Sequence, residues 1–357
     1  MDKIMNEQNS VQLGFWKEVK DAADARGEAI FVLAPMANVT DAAFRRMIAK
    51  YSRMGQKGGG PDVLWTEFVS ADGLCSEKGR VMLVRDLEFD AQTEHPIVAQ
   101  LFSSNPDKMR QAAALVQSLG FDGIDINMGC PDKTIEKQGA GAAMMRNPKL
   151  AREIIRAAKE GAPNIPISVK TRVGYNKVEI DSWIPEVLAE NPAVLTIHAR
   201  TRKEMSDVPA RWEHVKEVVA LRDKIQSGQA VKTLIFGNGD IVDCVDGNQK
   251  VAATGADGVM LGRAIFGNPW LFDRARIAAP SPRERLEVLV EHAKLFTKLL
   301  GDVKSFAIMK KHFKAYVAGW DGAKELRAEL METENAEQVS TIVTTYLTKH
   351  LANTPQQ

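Results

Sequence analysis

Cysteine is scarce in this chain. Cys75, Cys130 and Cys244 are the only three in 357 residues. They stand far apart, their number is odd, and no Cys-x-x-Cys pair occurs. That argues against a disulfide framework, a zinc site or an iron–sulfur cluster, and a reducing, cytoplasmic setting without a bound metal is expected. Net charge is also missing: the formal balance is +1. Whole-molecule charge therefore announces no nucleic acid, and any such partner has to be met by a local patch. No apolar run approaches the roughly 18–20 residues of a membrane span. The first residues, MDKIMNEQNS, hold no apolar core of a secretory signal. A soluble monomer is expected.

What the chain does have is a series of short apolar runs bounded by turn residues. They are FVLAP (31–35), DVLWTEF (62–68), PIVAQLF (96–102), DGIDIN (122–127), IPISVK (165–170), VLTIHA (194–199), TLIFGNG (233–239) and DGVMLG (257–262). Most intervals between them carry helical patterns. TDAAFRRMIAKY opens on a Thr40/Asp41 cap signal, and two others open Asn-Pro, at Asn105–Pro106 and Asn147–Pro148. Strands alternating with helices make a parallel sheet. Eight such units over about 250 residues predict a (β/α)8 barrel; an open doubly wound sheet is the structural alternative. Three segments follow: an N-terminal extension, residues 1–29, with the amphipathic GFWKEVKDAADA packing on the closed end; the barrel, 30–280; and a wholly helical domain, 281–357. Met54 to Pro61, with Gly58–Gly60, lacks the Gly-Lys-Ser/Thr ending of a phosphate-binding loop. It is expected to be a flexible excursion.

In such a barrel the active site lies at the C-terminal strand ends. The runs deliver Pro35, Met36 and Ala37; Gln100; Asn127 and Cys130; Lys170 and Arg172; His198 and Arg200; Asn238, Gly239 and Asp240; Gly262 and Arg263. Polar groups at nearly every end of otherwise apolar strands are hard to assign to packing. GNGD and LGRA follow runs seven and eight, where barrels often hold a phosphate on backbone N–H groups. The plainer reading is two tight turns that need glycine. Lys170 ends the apolar ISVK, so it is either ion-paired or a cation beside an electron-rich cofactor ring. His198 is a satisfied core group or a ligand contact. GAGAAM (139–144) imitates half of a dinucleotide fingerprint, but it does not follow a strand; its small residues are expected to pack a loop tightly beside Cys130.

These residues are recognisable together. From "APMANVTDAAFR" through "NMGCPDKTIEKQGAGAAMM", "VKTRVGY", "TIHARTR" and "GNGDI" to "GADGVMLGRAIFGNPWLF", and on to "KKHFKAYVAGWDGAKELR", the chain resembles the tRNA-dihydrouridine synthases. The resemblance covers Phe31 to about Arg327. It implies FMN at the barrel mouth and NADPH (or NADH) as the hydride source. Pro35, Met36 and Ala37 would lie along the flavin, Gln100 and Lys170 would touch its polar edge, and His198 would contact it. Asn238, Gly239, Asp240, Gly262 and Arg263 would hold its phosphate. Cys130 would protonate the substrate uracil, with Asn127 and Arg172, then Arg200 and Tyr175, against the base. The chain departs from the usual pattern at Ala199, where family members carry Gly, and at Arg211 before Trp212, where many carry Asp.

The chemistry asks for these types of residue. Saturating the 5,6 bond of uracil adds hydride at C6 and a proton at C5. A thiol with an ordinary pKa of about 8.5 is mostly protonated at neutral pH, which suits a donor. A stacked uridine is out of reach of a barrel mouth, so the base must be flipped out. The tail supplies a grip on tRNA through Lys294, Lys298, Lys304, Lys310, Lys311, Lys314, Lys324 and Arg327, interleaved with Phe306, Phe313 and Tyr316. A solvated helix face is the plainer reading of those lysines. Two other functions stay open at this point: an FMN barrel dehydrogenase acting on free pyrimidines, and a non-catalytic RNA-binding barrel.

Overall fold

A computed structural model describes residues 12–350. Positions 1–11 and 351–357 lie outside the described residues, so the expected extension over 1–29 and the tail to 357 are seen only in part. The chain divides into two compact units. One comprises Met1–Ala37, Pro61–Glu88 and His95–Gly262; the other comprises Asn38–Gly60, Phe89–Glu94 and Arg263–Gln357.

The first unit holds β1 (Ile30–Leu33), β2 (Leu64–Ser70), β3 (Ile97–Phe102), β4 (Gly123–Met128), β5 (Ile167–Arg172), β6 (Val194–His198), β7 (Leu234–Asn238) and β8 (Gly258–Leu261). Every strand overlaps an expected run, with β1, β2, β4 and β5 reaching one or two residues beyond it. All neighbours are parallel, in the order β1-β8-β7-β6-β5-β4-β3-β2. A parallel bridge between Val32 and Val63 joins the two ends. The Leu33 N–H donates to the Val63 carbonyl at 3.2 Å and the Asp62 N–H to Phe31 at 2.7 Å. The sheet is therefore a closed (β/α)8 barrel, and the open-sheet alternative does not hold.

Alternation decides what fills it. On each strand, residues two apart share a face, and the interior takes Val32, Trp65, Val98, Phe236 and Met260. Trp16, at the start of the helix Trp16–Arg26, is buried with them, its ring 5.7 Å from Trp65 and 5.4 Å from Phe236. Truncating a buried tryptophan costs about 3–5 kcal/mol, so this plug is part of the barrel core. The cap signals in the sequence act as caps. The Asn105 side chain accepts from Asp107 and Lys108 N–H, and Asn147 from Leu150 N–H, each with Pro in the first turn. Rigid helix starts of this kind fix the length of the loops that precede them.

The second unit is helical: Ala42–Tyr51, Pro282–Leu300, Met309–Tyr316, Ala323–Met331 and Ala336–His350. Its core joins Ala43 and Met47 to Leu286, Leu289, Phe296, Phe313 and Leu326. A boundary at residue 280 leaves Asn38–Gly60 and Phe89–Glu94 with the barrel; in the structure both belong with the tail helices. Ala43 and Met47 bring Asn38–Gly60 into the helical core, and a buried ion pair ties Phe89–Glu94 to that segment. Arg45 Nε meets Glu94 at 2.7 Å with both side chains fully buried, and Arg46 reaches the same carboxylate at 3.3 Å. Two further expectations need correcting. The Gly58–Gly60 stretch is compact rather than loose: a Cβ on Gly59 would lie 2.3 Å from the Arg53 carbonyl, and one on Gly60 2.5 Å from Met54 Cα. Phe313 and Tyr316 are fully buried, so they do not interleave with lysines on a surface. Among the described residues, no helix is long and apolar enough to cross a membrane.

Candidate active site

Strand register builds the site layer by layer. Gln100 pairs with Asp125 across β3 and β4, Asn127 with Lys170 across β4 and β5, Arg172 with His198 across β5 and β6, and His198 with Asn238 across β6 and β7. All lie on the interior face towards the C-terminal ends. Asn127 Oδ1 accepts from the N–H groups of Gly129 at 3.1 Å and Cys130 at 2.9 Å, which folds the chain sharply after β4. The 139–144 loop closes behind that turn. Ala142 N–H donates to the Cys130 carbonyl at 2.9 Å, and Gly141, at φ +60°, sits where a Cβ would be 2.8 Å from the same oxygen. The small residues do pack beside Cys130.

Cys130 lies against an apolar shelf of Phe68, Phe102, Ile135 and Ala140. Burial pushes its thiol pKa up, and the Asp132 carboxylate adds to this; a backbone hydrogen bond at Asp132 and the charges of Lys170 and Arg172 pull the other way. The thiol therefore keeps its proton at neutral pH. Lys170 has no hydrogen-bond or ion-pair partner at Nζ among the described residues. Burial first, then Arg172, pushes its pKa down to about 8, against Asp125 and Cys130. An interior ammonium with no partner of its own is costly unless a ligand meets it.

Both arginines are engaged by protein groups. Arg172 donates to the carbonyls of Gly129 at 2.9 Å, Thr201 at 3.0 Å and Met205 at 2.9 Å. Arg200, 2% exposed, donates to Val208 at 2.6 Å and approaches His198 Nε2 at 3.2 Å, and its other end pairs with Asp240. Both guanidinium groups tie loops of the mouth together. Asp240 also accepts from Ala210 N–H at 2.8 Å, so its carboxylate fastens the 208–210 strap. Asn238 donates to Met260 O at 2.8 Å. Gly239, at φ +122°, leaves no room for a side chain beside Ala210, and at Gly262 a Cβ would find only Ala34 and Met36, at 3.6 and 3.7 Å. Pro35 and Met36 are half-buried, Ala37 is exposed, and Arg263 is exposed at the start of the turn Arg263–Ile265.

Trp212, Arg146, Arg202 and Asp125 escaped the sequence reading of the site. Trp212 donates from Nε1 to Gly239 O at 3.0 Å and holds the β7 turn. The Tyr175 ring lies under two guanidinium groups, Arg146 at 5.2 Å and Arg202 at 5.3 Å from its centroid, and Arg202 is paired with Glu136. Asp125 is fully buried beneath Gln100. Asp125 had a visible signal, a charged residue two before Asn127 on the same face of an apolar strand. Among the described residues, no cluster of three or more His, Cys, Asp or Glu could hold a metal.

The chain that builds this arrangement has relatives. The chain is 38% identical over 331 residues to a probable tRNA-dihydrouridine synthase of Staphylococcus aureus (strain Mu50), covering 92% of this chain and 94% of that one. It is 36% identical over 339 residues to probable tRNA-dihydrouridine synthase 2 of Bacillus subtilis (strain 168), covering 94% and 98%. Among solved structures it matches morphinone reductase in complex with tetrahydroNAD at 13% identity and TM-score 0.44, over 72% of this chain and 90% of that one, which is too distant to bear on function. The family model for dihydrouridine synthase matches residues 32–352, nearly the whole described chain. On that match and those identities, the chain belongs to the dihydrouridine synthase family.

Proposed function

We propose that this chain reduces uridine in tRNA to dihydrouridine, with FMN as its flavin and NADPH (or NADH) as the hydride source. Family membership supports the reaction. The observation that carries it is the Cys130 thiol, kept protonated on an apolar shelf at the mouth, within the field of Lys170. The residues present fit a flavin. Lys170 lacks a partner, and buried Thr196 Oγ1 also has none among the described residues. Gln100, Lys170 and His198 would hold its ring, Pro35, Met36 and Ala37 would flank it, and the Asn238–Gly239 and Gly262–Arg263 turns would take its phosphate. When bound and reduced, FMN supplies a hydride to C6 of the base.

The rest is done by the chain. Hydride addition leaves negative charge shared between C5 and the C4 carbonyl. Cys130 gives its proton to C5, and its raised pKa keeps the proton available across neutral pH. Asn127 holds the turn that presents the thiol. Arg172 and Arg200 fix the loops around the base, and Tyr175 with Arg146 and Arg202 forms a cationic aromatic rim for RNA. Exposed lysines of the second unit, among them Lys294, Lys298 and Lys314, add charge for tRNA phosphates. A free pyrimidine needs no such surfaces, so the rival dehydrogenase reading is less well supported.

The test is direct. Unmodified tRNA and NADPH are incubated with the protein, and the digested RNA is weighed for dihydrouridine. Wild type forms it, and Cys130→Ala forms it about 10²-fold more slowly or worse. Turnover of free uracil or dihydroorotate without any RNA product would overturn the substrate; an undiminished Cys130→Ala would remove the thiol's role.

A further inference from the structure

Two carboxamides, Gln100 and Asn127, connect a buried carboxylate to the turn that carries the thiol. Asn127 Oδ1 receives the N–H groups of Gly129 and Cys130. Asn127 Nδ2 donates to Gln100 Oε1 at 3.0 Å, and Gln100 Nε2 donates to Asp125 Oδ2 at 2.5 Å. Asp125 and Gln100 are fully buried and Asn127 is 7% exposed. A carboxamide can be turned end for end, so its orientation has to be argued from its partners. Here the backbone decides it. An N–H only donates, so Asn127 must turn its oxygen to Gly129 and Cys130. Its NH2 then faces Gln100, which must offer Oε1. That leaves the Gln100 NH2 pointing at β4, where the group beneath must accept. Asp125 Oδ2 is that acceptor, supplied by the strand alternation that puts Asp125 and Asn127 on one face.

We infer that Asp125 is a positioning residue: by accepting from Gln100 it locks both amides in the one orientation that holds the Gly129–Cys130 turn. The inference rests on the reading of Cys130 as the proton donor. Any proton Asp125 takes up must sit on Oδ1, since Oδ2 is committed to accepting. Oδ1 is buried with no partner among the described residues. Burial raises the Asp125 pKa to about 7, with Gln100 first, then Lys170 and the Trp65 indole N–H, opposing. The lock survives that protonation, because Oδ2 accepts in either state. What the lock needs is an acceptor at this position, and a negative charge is not required.

That distinction sets the test. Asp125→Asn keeps an acceptor for Gln100 and places its NH2 where Oδ1 was; Asp125→Leu, of similar size, offers none. The holoenzyme is reduced without air and mixed with unmodified tRNA or with ferricyanide, and flavin reoxidation is followed by absorbance. Asp125→Leu is expected to reoxidise with tRNA at least about tenfold more slowly, since a misplaced donor forfeits part of general-acid catalysis. Its reoxidation by ferricyanide should change by less than about threefold, because that reaction needs no placed proton donor. Asp125→Asn should recover the tRNA rate to within about threefold of wild type. Asp125→Leu at the wild-type rate, or Asp125→Asn as slow as Asp125→Leu, overturns the inference. If Asp125→Leu does not fold, Gln100→Glu decides. It sets two carboxyl groups against each other, so one proton must be shared and the tRNA-dependent rate should climb as pH falls; a profile parallel to wild type overturns the lock. Cys130→Ala separates the two readings. If it is unimpaired, the thiol fails. If it is slow while Asp125→Leu is not, the thiol stands and the lock fails.

Discussion

The helical unit should lose stability in mild acid, and two histidines say by how much. His292 and His312 are fully buried, with ring centroids 4.7 Å apart. None of their four ring nitrogens has a hydrogen-bond partner among the described residues. Their neighbours are Phe44 at 5.6 and 5.1 Å, Phe266 at 5.7 Å from His312, and Tyr316 at 6.1 Å from His292. No carboxylate is a hydrogen-bond or ion-pair partner of either ring among the described residues, and the charges that act on His312, His292 first and then Lys311, both oppose its protonation. Burial takes His292 from 6.5 down to about 3, and His312 well below its usual value. Both rings are therefore neutral in the fold and charge only when it opens. A depressed folded pKa means the stabilisation is complete above the unfolded value and is lost as pH falls from there towards the folded one. At pH 5, His292 alone costs about 2 kcal/mol relative to pH 8, rising to about 5 kcal/mol below its folded pKa. His312 adds in the same direction. Hydrogen exchange read on peptides from Pro282–Leu300 and Met309–Tyr316, corrected for intrinsic rates, gives the opening free energy at each pH. The wild type should lose at least about 2 kcal/mol more between pH 8 and 5 than a His292→Phe/His312→Phe variant. Equal losses in the two proteins would refute the assignment of the acid sensitivity to this pair.

Two other outcomes follow from groups already described. Glu94→Gln leaves the Arg45 guanidinium buried without its counter-charge, and unfolding experiments should show about 3–5 kcal/mol lost; a change below about 0.5 kcal/mol, the scatter of ordinary surface changes, would mean the pair is not structural. Arg146, stacked on Tyr175 with no carboxylate partner among the described residues, and the Lys310/Lys314 face should each meet tRNA phosphates. Arg146→Ala should lower the slope of log affinity against log salt by about 1 and Lys310→Glu/Lys314→Glu by more, with flavin content unchanged; slopes equal to wild type would remove those surfaces from the interface.

The difference between what could and could not be read in advance is a difference between local and non-local information. Each strand announced itself because burial on both faces is written in its own short apolar run, and β4 to β8 placed their polar ends where a barrel needs them. The caps at Asn105 and Asn147 were equally local, a side chain and an N–H three residues on. A guanidinium is another matter. Arg172 and Arg200 were correctly placed at the mouth, but whether a fork of donors meets a ligand or backbone carbonyls depends on where distant loops run, and those loops turned out to need tying. The same holds for Glu94, whose partner Arg45 lies 49 residues away and draws a short barrel loop into the helical unit. Phe313 and Tyr316 misled because a short helix rich in lysine reads as surface while one stripe of it is core. Asp125 was missed for the opposite reason. Its strand was read so securely as apolar packing that the charge within it went unquestioned, and yet a buried carboxylate on the same face as Asn127 has to be accepting from something. A charged residue at an interior position of a barrel strand, two before a strand-end polar residue, is therefore a signal worth following: the group that orients a site is placed one layer below the groups that form it.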